Sequence, residues 1–104
     1  MSHIIDRLFD TIAARRSADP SKSYTAKLLG EGAERCAKKF GEEAVEAALA
    51  AVKGDKGAVA AESADVLYHL LVLWAACGVE PAAVYAALEA REGRSGLEEK
   101  ASRR

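Results

Sequence analysis

Four carboxylates stand in two pairs of equal spacing, and this arrangement suits the binding of a divalent cation. The first pair is Glu43 and Glu46, and the second is Glu62 and Asp65. A spacing of three residues places both members of a pair on one face of an α-helix. Carboxylates held close together repel one another, and a hard cation such as Mg²⁺ relieves that repulsion because it prefers oxygen ligands.

The types of the neighbouring residues narrow the choice of metal. A set of carboxylates without Cys or a second His favours Mg²⁺, or Mn²⁺ as a substitute, over Zn²⁺. A di-iron site of the ferritin type would require Glu-x-x-His on its helices, and the sequence contains no such pair. The sequence therefore predicts a magnesium site made by both acid pairs.

The second acid pair leads into the most apolar stretch of the chain. From Val66 to Cys77 every residue except His69 is apolar or an amphipathic aromatic. A helix that is apolar all round lies in an interior, and this run is shorter than the roughly 18 to 20 residues that span a bilayer. We therefore predict a central core helix, part of whose surface is covered by a second subunit.

The first acid pair lies on a charged helix that also has an apolar face. On a helical wheel a ridge of charged residues forms beside the acids, made of Arg35, Lys39, Glu42, Glu43 and Glu46. The opposite face is predicted to pack in the core and consists of Ala44, Val45, Ala48, Leu49 and Val52. Gly41 precedes the acids at a cost of about 1 kcal/mol relative to Ala, which suggests close approach by a ligand or another backbone.

Helix-favouring residues dominate the chain, and no segment alternates with the period of a strand. We predict an all-α fold, a small bundle of four to five helices completed by dimerisation, as one domain over residues 1–104. The predicted helices are His3–Arg16 with Ser2 as N-cap, a short helix from the cap Ser23 through Leu29, then Ala33–Val52, Ala58–Cys77 and Pro81–Glu92.

The connections predict how these helices meet. Gly30 and Gly32 are expected to bracket a bend, and Gly78 to end the central helix. The segment Lys53–Gly57 is a short turn, so the third and fourth helices should be antiparallel neighbours. Counted from that turn, the two acid pairs lie at similar depth. The polar tail after Glu92 is expected to form one more turn or to remain loose.

Composition excludes several classes of function. A formal net charge of −1 and a pI near 6.1 give no basic face for nucleic acid. The N-terminal stretch lacks a signal-peptide pattern, and Asp6 and Asp10 argue against a transit peptide. Cys36 and Cys77 fall in helical apolar segments, which favours buried free thiols. We expect a cytoplasmic protein that does not act at a membrane.

Two assignments stay open at this level. The charged ridge could be a solvated face with ion pairs such as Lys39–Glu43, although a lysine that precedes its glutamate is the weaker orientation. His69 could orient a metal-binding carboxylate one turn away, or it could be a buried neutral histidine with a backbone or subunit partner.

Three segments around these residues resemble the phosphoribosyl-ATP pyrophosphatase family of histidine biosynthesis, within the all-α nucleoside triphosphate pyrophosphatases. They are Ser23–Leu28, Lys39–Glu46 and Glu62–Leu73, and the tail Arg94–Lys100 also fits that family's ending. Phe40 and Val66 depart mildly from the family pattern, and neither changes a charge. The resemblance implies hydrolysis of phosphoribosyl-ATP to phosphoribosyl-AMP and pyrophosphate, with Mg²⁺, by a homodimer.

The resemblance also implies roles for individual residues. Water would attack the α-phosphorus beside Mg²⁺ ions held by the four paired carboxylates, with Glu42 as a candidate acid or base. The candidates for substrate binding are Lys39, Arg35, Lys27 and Lys56 on the phosphates and Tyr24 at the loop. Two rival interpretations are a house-cleaning pyrophosphatase for other nucleoside triphosphates and a non-catalytic helical dimerisation module.

Overall fold

In the computed structural model, residues 3–92 are described, and in this part the chain forms five α-helices without strands. The helices are α1 (Ile4–Ala14), α2 (Tyr24–Glu31), α3 (Ala33–Lys53), α4 (Lys56–Cys77) and α5 (Pro81–Arg91), and a 3₁₀ turn, Arg15–Ser17, follows α1. The predicted all-α bundle is confirmed, while the predicted tail segment lies outside the described residues.

Most helix ends fall where the sequence predicts them, and the exceptions have local causes. Helix α1 begins with His3 at the N-cap instead of Ser2, because the His3 Nδ1 atom accepts a hydrogen bond from the Ile5 N–H. Gly30 lies inside α2, and the bend is made by Gly32 alone, whose φ of 97° favours glycine. Helix α4 begins early because Asp55 caps it, accepting from the Ala58 N–H.

The N-cap of α2 is Ser23, as predicted, and it is one of the few buried polar residues. Its Oγ accepts a hydrogen bond of 3.1 Å from the Ala26 N–H, which satisfies a backbone donor that the helix cannot pair.

We expect Ser23→Ala to lower the free energy of unfolding by about 1 kcal/mol, the usual cost of losing such a cap. Chemical denaturation measures the change, with Ser17→Ala as the control because Ser17 is exposed and lies at the end of the 3₁₀ turn. Equal stability of Ser23→Ala and wild type would contradict a stabilising role for this cap.

The core lies around the C-terminal half of α4 and draws side chains from four helices. Leu71 and Val72 of α4 are completely buried. The buried cluster also contains Phe9 and Ile12 of α1, Leu28 and Leu29 of α2, and Cys36 of α3. Arg16 reinforces this end of α4, because its Nη2 donates to the Ala75 carbonyl at 2.6 Å. The Tyr85 hydroxyl donates to Asp6 and joins α5 to α1.

The apolar face of α3 was predicted to pack in the core, and for this chain alone that prediction is wrong. Val45, Leu49 and Val52 are 58%, 54% and 85% exposed. Helices α3 and α4 form a long hairpin whose turn end extends past the core cluster. Periodicity therefore finds the apolar face, but no element within residues 3–92 covers it. A Cβ atom at Gly41 would meet no atom within 4 Å, so no other backbone of the described chain explains that glycine.

The apolar run of α4 was expected to be too short to span a bilayer, and the length of the whole helix bears on this expectation. The helix has 22 residues, and by length and composition it is long and apolar enough to cross a membrane, although the apolar run within it is shorter. Leu71 and Val72 are core residues, which is also typical of the central helix of a soluble bundle.

Both cysteines are free, but only Cys36 is buried; Cys77, at the last position of α4, is exposed.

Candidate active site

The α3–α4 hairpin brings three of the four predicted carboxylates together. Glu43 projects from α3, while Glu62 and Asp65 project from the facing helix α4. One oxygen atom from each of the three lies within 4.8 Å of the other two. Glu43 and Glu62 are partly buried, and Asp65 is exposed. We call Glu43, Glu62 and Asp65 the acid cluster.

Glu46, the fourth predicted ligand, lies next to the acid cluster and outside it. It lines a groove of about 280 Å³ together with Glu62, between the two helices and toward their turn. The pKa of Glu62 is raised, first by desolvation and then by the charges of Glu46, Asp65 and Glu43. Glu46 therefore adds to the negative potential at the cluster.

The donor set of the cluster fits a hard divalent cation. Oxygen atoms at this spacing can coordinate one ion together, and carboxylates are ligands that Mg²⁺ takes in proteins. Desolvation raises the pKa of Glu62 most, and a cation would offset the further rise that comes from the neighbouring carboxylates. The geometry and the electrostatics thus agree with the type of metal that the sequence predicts.

The raised pKa of Glu62 gives a prediction for the metal-free protein. Since the folded-state pKa of Glu62 is raised, the folded chain binds protons more readily than the unfolded chain. Stability therefore falls as the pH rises from the ordinary pKa of a glutamate to the raised pKa of Glu62. We expect Glu62→Gln to be more stable than wild type at neutral pH, and the difference to shrink as the pH falls through the raised pKa of Glu62 and to vanish below the ordinary pKa of a glutamate.

The measurement is thermal unfolding in chelator across pH, with Glu89→Gln of α5 as the control. Glu89 is exposed and lies on another helix. A Glu62→Gln variant less stable than wild type at neutral pH would contradict a destabilising effect of the Glu62 charge in the metal-free protein.

A second groove, of about 470 Å³, runs along α3 and joins the cluster to the charged ridge. Its lining residues are Lys39, Glu42, Glu43, Val45, Glu46 and Leu49. Lys39 forms an ion pair of 3.3 Å with Glu42, at a spacing of three residues, and not with Glu43 as considered from the sequence. The hydrogen bond to Glu42 and the neighbouring Tyr24 and Glu43 raise the pKa of Lys39, so its ammonium stays charged.

The other predicted substrate-binding residues are dispersed. Arg35 pairs with Glu31 at 3.7 Å and lines a separate depression with Glu34 and Lys38. Tyr24 is half exposed at the start of α2 and meets the ring of His69 edge-on. Lys27 of α2 and Lys56 at the start of α4 are exposed, and neither lines a described groove with the acid cluster.

Lys53 is a candidate substrate-binding residue that was not predicted from the sequence. It lines the smaller groove with Glu46 and Glu62. Its spacing of seven residues from Glu46 corresponds to two helical turns and could have indicated a shared face.

His69 is buried beside the cluster, at 5% exposure. Its Nε2 atom faces the Glu43 Oε1 across the helix pair at 3.8 Å, whereas Asp65 was the carboxylate considered from the sequence. The Nδ1 atom has no hydrogen-bond partner in the described residues, and leaving such an atom unsatisfied costs roughly 1–3 kcal/mol. Burial lowers the pKa of His69 against the opposing charge of Glu43, which favours the neutral ring.

Comparison with known proteins shows the family of the chain. Residues 5–92 match the family described as phosphoribosyl-ATP pyrophosphohydrolase. The chain is 65% identical over 99 residues to a protein of Parvibaculum lavamentivorans named phosphoribosyl-ATP pyrophosphatase, covering 95% of this chain and 91% of that protein. A protein of the same name from Azospirillum brasilense is 57% identical, covering 97% and 91% of the two chains.

A third relative with that name, from Cereibacter sphaeroides, is 60% identical and covers 96% of this chain and 97% of its own. These matches extend over nearly the whole chain and include both helices of the acid cluster. The chain is therefore an enzyme, a hydrolase that belongs to the phosphoribosyl-ATP pyrophosphohydrolase family.

Proposed function

We propose that this protein hydrolyses phosphoribosyl-ATP to phosphoribosyl-AMP and pyrophosphate, the second step of histidine biosynthesis, in the cytoplasm and with Mg²⁺. The observation that carries the proposal is the acid cluster, whose three carboxylate oxygens lie within 4.8 Å of one another. The names and high identity of the relatives support the choice of substrate.

In this proposal the acid cluster holds the metal, with Glu46 as a further ligand at its edge. When bound, Mg²⁺ neutralises phosphate charge and makes water more acidic. The chain itself positions the reactants: the groove along α3 accepts the triphosphate next to the cluster, and a water molecule attacks the α-phosphorus. The bond from that phosphorus to the bridging oxygen breaks, and pyrophosphate leaves.

Residues along the same groove provide the remaining functions. Glu42 lies beside the cluster and is proposed to accept the proton of the attacking water. Lys39 is proposed to contact the phosphates, giving up its pair with Glu42 as the substrate binds. Tyr24 is proposed to contact the substrate from α2. Arg35, Lys27 and Lys56 remain proposed phosphate contacts, although their positions support them less.

We also propose that the enzyme is a homodimer. The exposed apolar residues of the hairpin, namely Val45, Leu49, Val52 and Leu67, are 43–85% exposed in the single chain. Burial of such side chains contributes about 25 cal/mol per Å² of apolar surface removed from water. The face also borders the proposed substrate groove, because Val45 and Leu49 line both. Sedimentation as a monomer at micromolar concentration would contradict this proposal.

The substrate is tested by comparing turnover of phosphoribosyl-ATP, ATP, dCTP and dUTP at saturating Mg²⁺. We expect kcat/KM for phosphoribosyl-ATP to exceed the others by at least about a hundredfold, because binding of the second phosphoribosyl group contributes only with the correct substrate. Preference for a deoxynucleoside triphosphate would favour the house-cleaning alternative.

A further inference from the structure

His69 is the one buried polar side chain whose place the fold leaves unexplained in the described part of the chain. Ser23, the other buried polar residue, caps α2. His69 instead leaves its Nδ1 atom without a hydrogen-bond partner, among the apolar residues of α4. An apolar side chain at this position would leave no nitrogen unsatisfied. The presence of an imidazole is therefore better explained by a role of its other nitrogen, Nε2.

The ring of His69 is held in one orientation by two tyrosines. Tyr68 packs edge-on at 4.9 Å between ring centroids with an interplanar angle of 80°, and Tyr24 does so at 6.1 Å and 85°. Tyr68 is anchored in turn, because its hydroxyl and that of Thr25 share a hydrogen bond. Contacts between α2 and α4 thus fix the direction in which Nε2 points.

That direction leads to Glu43, a partly buried member of the acid cluster. The Glu43 side chain is 21% exposed, and its Oε1 lies 3.8 Å from the Nε2 atom of His69. In a neutral ring only one nitrogen carries a proton. A lone pair on Nε2 would be repelled by the Glu43 carboxylate, so the proton lies on Nε2. The distance is longer than an ordinary hydrogen bond, but such contacts commonly tighten when a site is filled. A carboxylate has two oxygens, and one can accept from His69 while the other serves a cation.

We infer that His69 is a positioning residue, which donates a hydrogen bond from Nε2 to Glu43 and so holds that carboxylate in the orientation for cation binding. The inference rests on the proposed function only in taking Glu43 as a metal ligand. Partners of this kind, which contact a ligand and not the metal, set ligand orientation, and their loss commonly costs 10–100-fold in metal affinity or activity.

Three variants separate this role from simple packing. His69→Phe keeps a ring between the two tyrosines and removes both nitrogens. His69→Gln can place an amide donor near the position of Nε2, whereas His69→Asn has the same chemistry but places its donor near Nδ1. Mn²⁺ binding to the substrate-free protein, followed by electron paramagnetic resonance, is the primary readout, and circular dichroism verifies folding.

We expect Mn²⁺ affinity to fall 10–100-fold in His69→Phe and His69→Asn and to recover within a few-fold of wild type in His69→Gln. Mn²⁺ affinity of His69→Phe equal to wild type would overturn the inference and leave the proposed function intact. If His69→Phe fails to fold, equal affinities of the Gln and Asn variants would overturn it instead. A different result is that the Mn²⁺ affinities follow this expectation while wild type does not hydrolyse phosphoribosyl-ATP. That result would sustain the inference and reject the proposed function.

Discussion

Asp65→Asn is expected to lower kcat for pyrophosphate release from phosphoribosyl-ATP by at least about a thousandfold, because it removes the charge of a proposed metal ligand in the acid cluster. The side chain is exposed, and Asn has nearly the same shape. The fold should therefore be kept, and in the absence of metal the relief of like-charge repulsion should make the variant as stable as wild type or slightly more stable.

Steady-state kinetics at saturating Mg²⁺ and thermal unfolding in chelator measure the two effects. Asp10→Asn is a matched control, because Asp10 is an exposed carboxylate on α1. Near-wild-type turnover of Asp65→Asn would remove Asp65 from the ligand set. The same comparison with Glu46→Gln decides whether Glu46, outside the three-residue cluster, is a ligand as proposed.

Lys39→Gln is expected to lower kcat/KM by about one to three orders of magnitude while stability hardly changes. The substitution keeps most of the stem and the helix propensity but removes the charge proposed to contact the phosphates. Stabilisation of developing charge by a positioned cation is stronger in the transition state than in the ground state. The ion pair with Glu42 is a surface pair, and its loss contributes little to folding.

The control for this prediction is the neighbouring lysine. Lys38 lines a different depression, with Glu31, Glu34 and Arg35, so Lys38→Gln makes the same chemical change away from the acid cluster. We expect Lys38→Gln to retain wild-type kcat/KM. If Lys39→Gln behaved in the same way, the lysine would belong to a solvated face and not to the site.

The sequence predicted those features of the fold that local chemistry determines. Ser23 and Pro81 mark helix starts, and Gly78 ends α4 with a φ of 72°. The short turn at Gly54 and Asp55 makes α3 and α4 antiparallel neighbours, and depth along the two helices can then be counted from it. This counting was sufficient to bring Glu43 opposite Glu62 and Asp65.

Rotation of each helix about its axis could not be predicted in this way. It is set by packing of the whole bundle, and it leaves Glu46 beside the cluster and turns His69 toward Glu43 on the other helix. The exposure of Val45 and Leu49 has a related cause. Periodicity identifies an apolar face, but it does not tell whether the same chain or a second copy covers that face.

Hydrolysis at the acid cluster with a divalent cation is the mechanism that we propose. Its most direct test is pyrophosphate release from phosphoribosyl-ATP by chelator-treated enzyme as Mg²⁺ is titrated in, with Asp65→Asn in parallel. We predict negligible release without metal, a saturable rise with Mg²⁺ for wild type, and no comparable rise for the variant. Undiminished release by wild type in excess chelator, or the same Mg²⁺ response in both proteins, would contradict this mechanism.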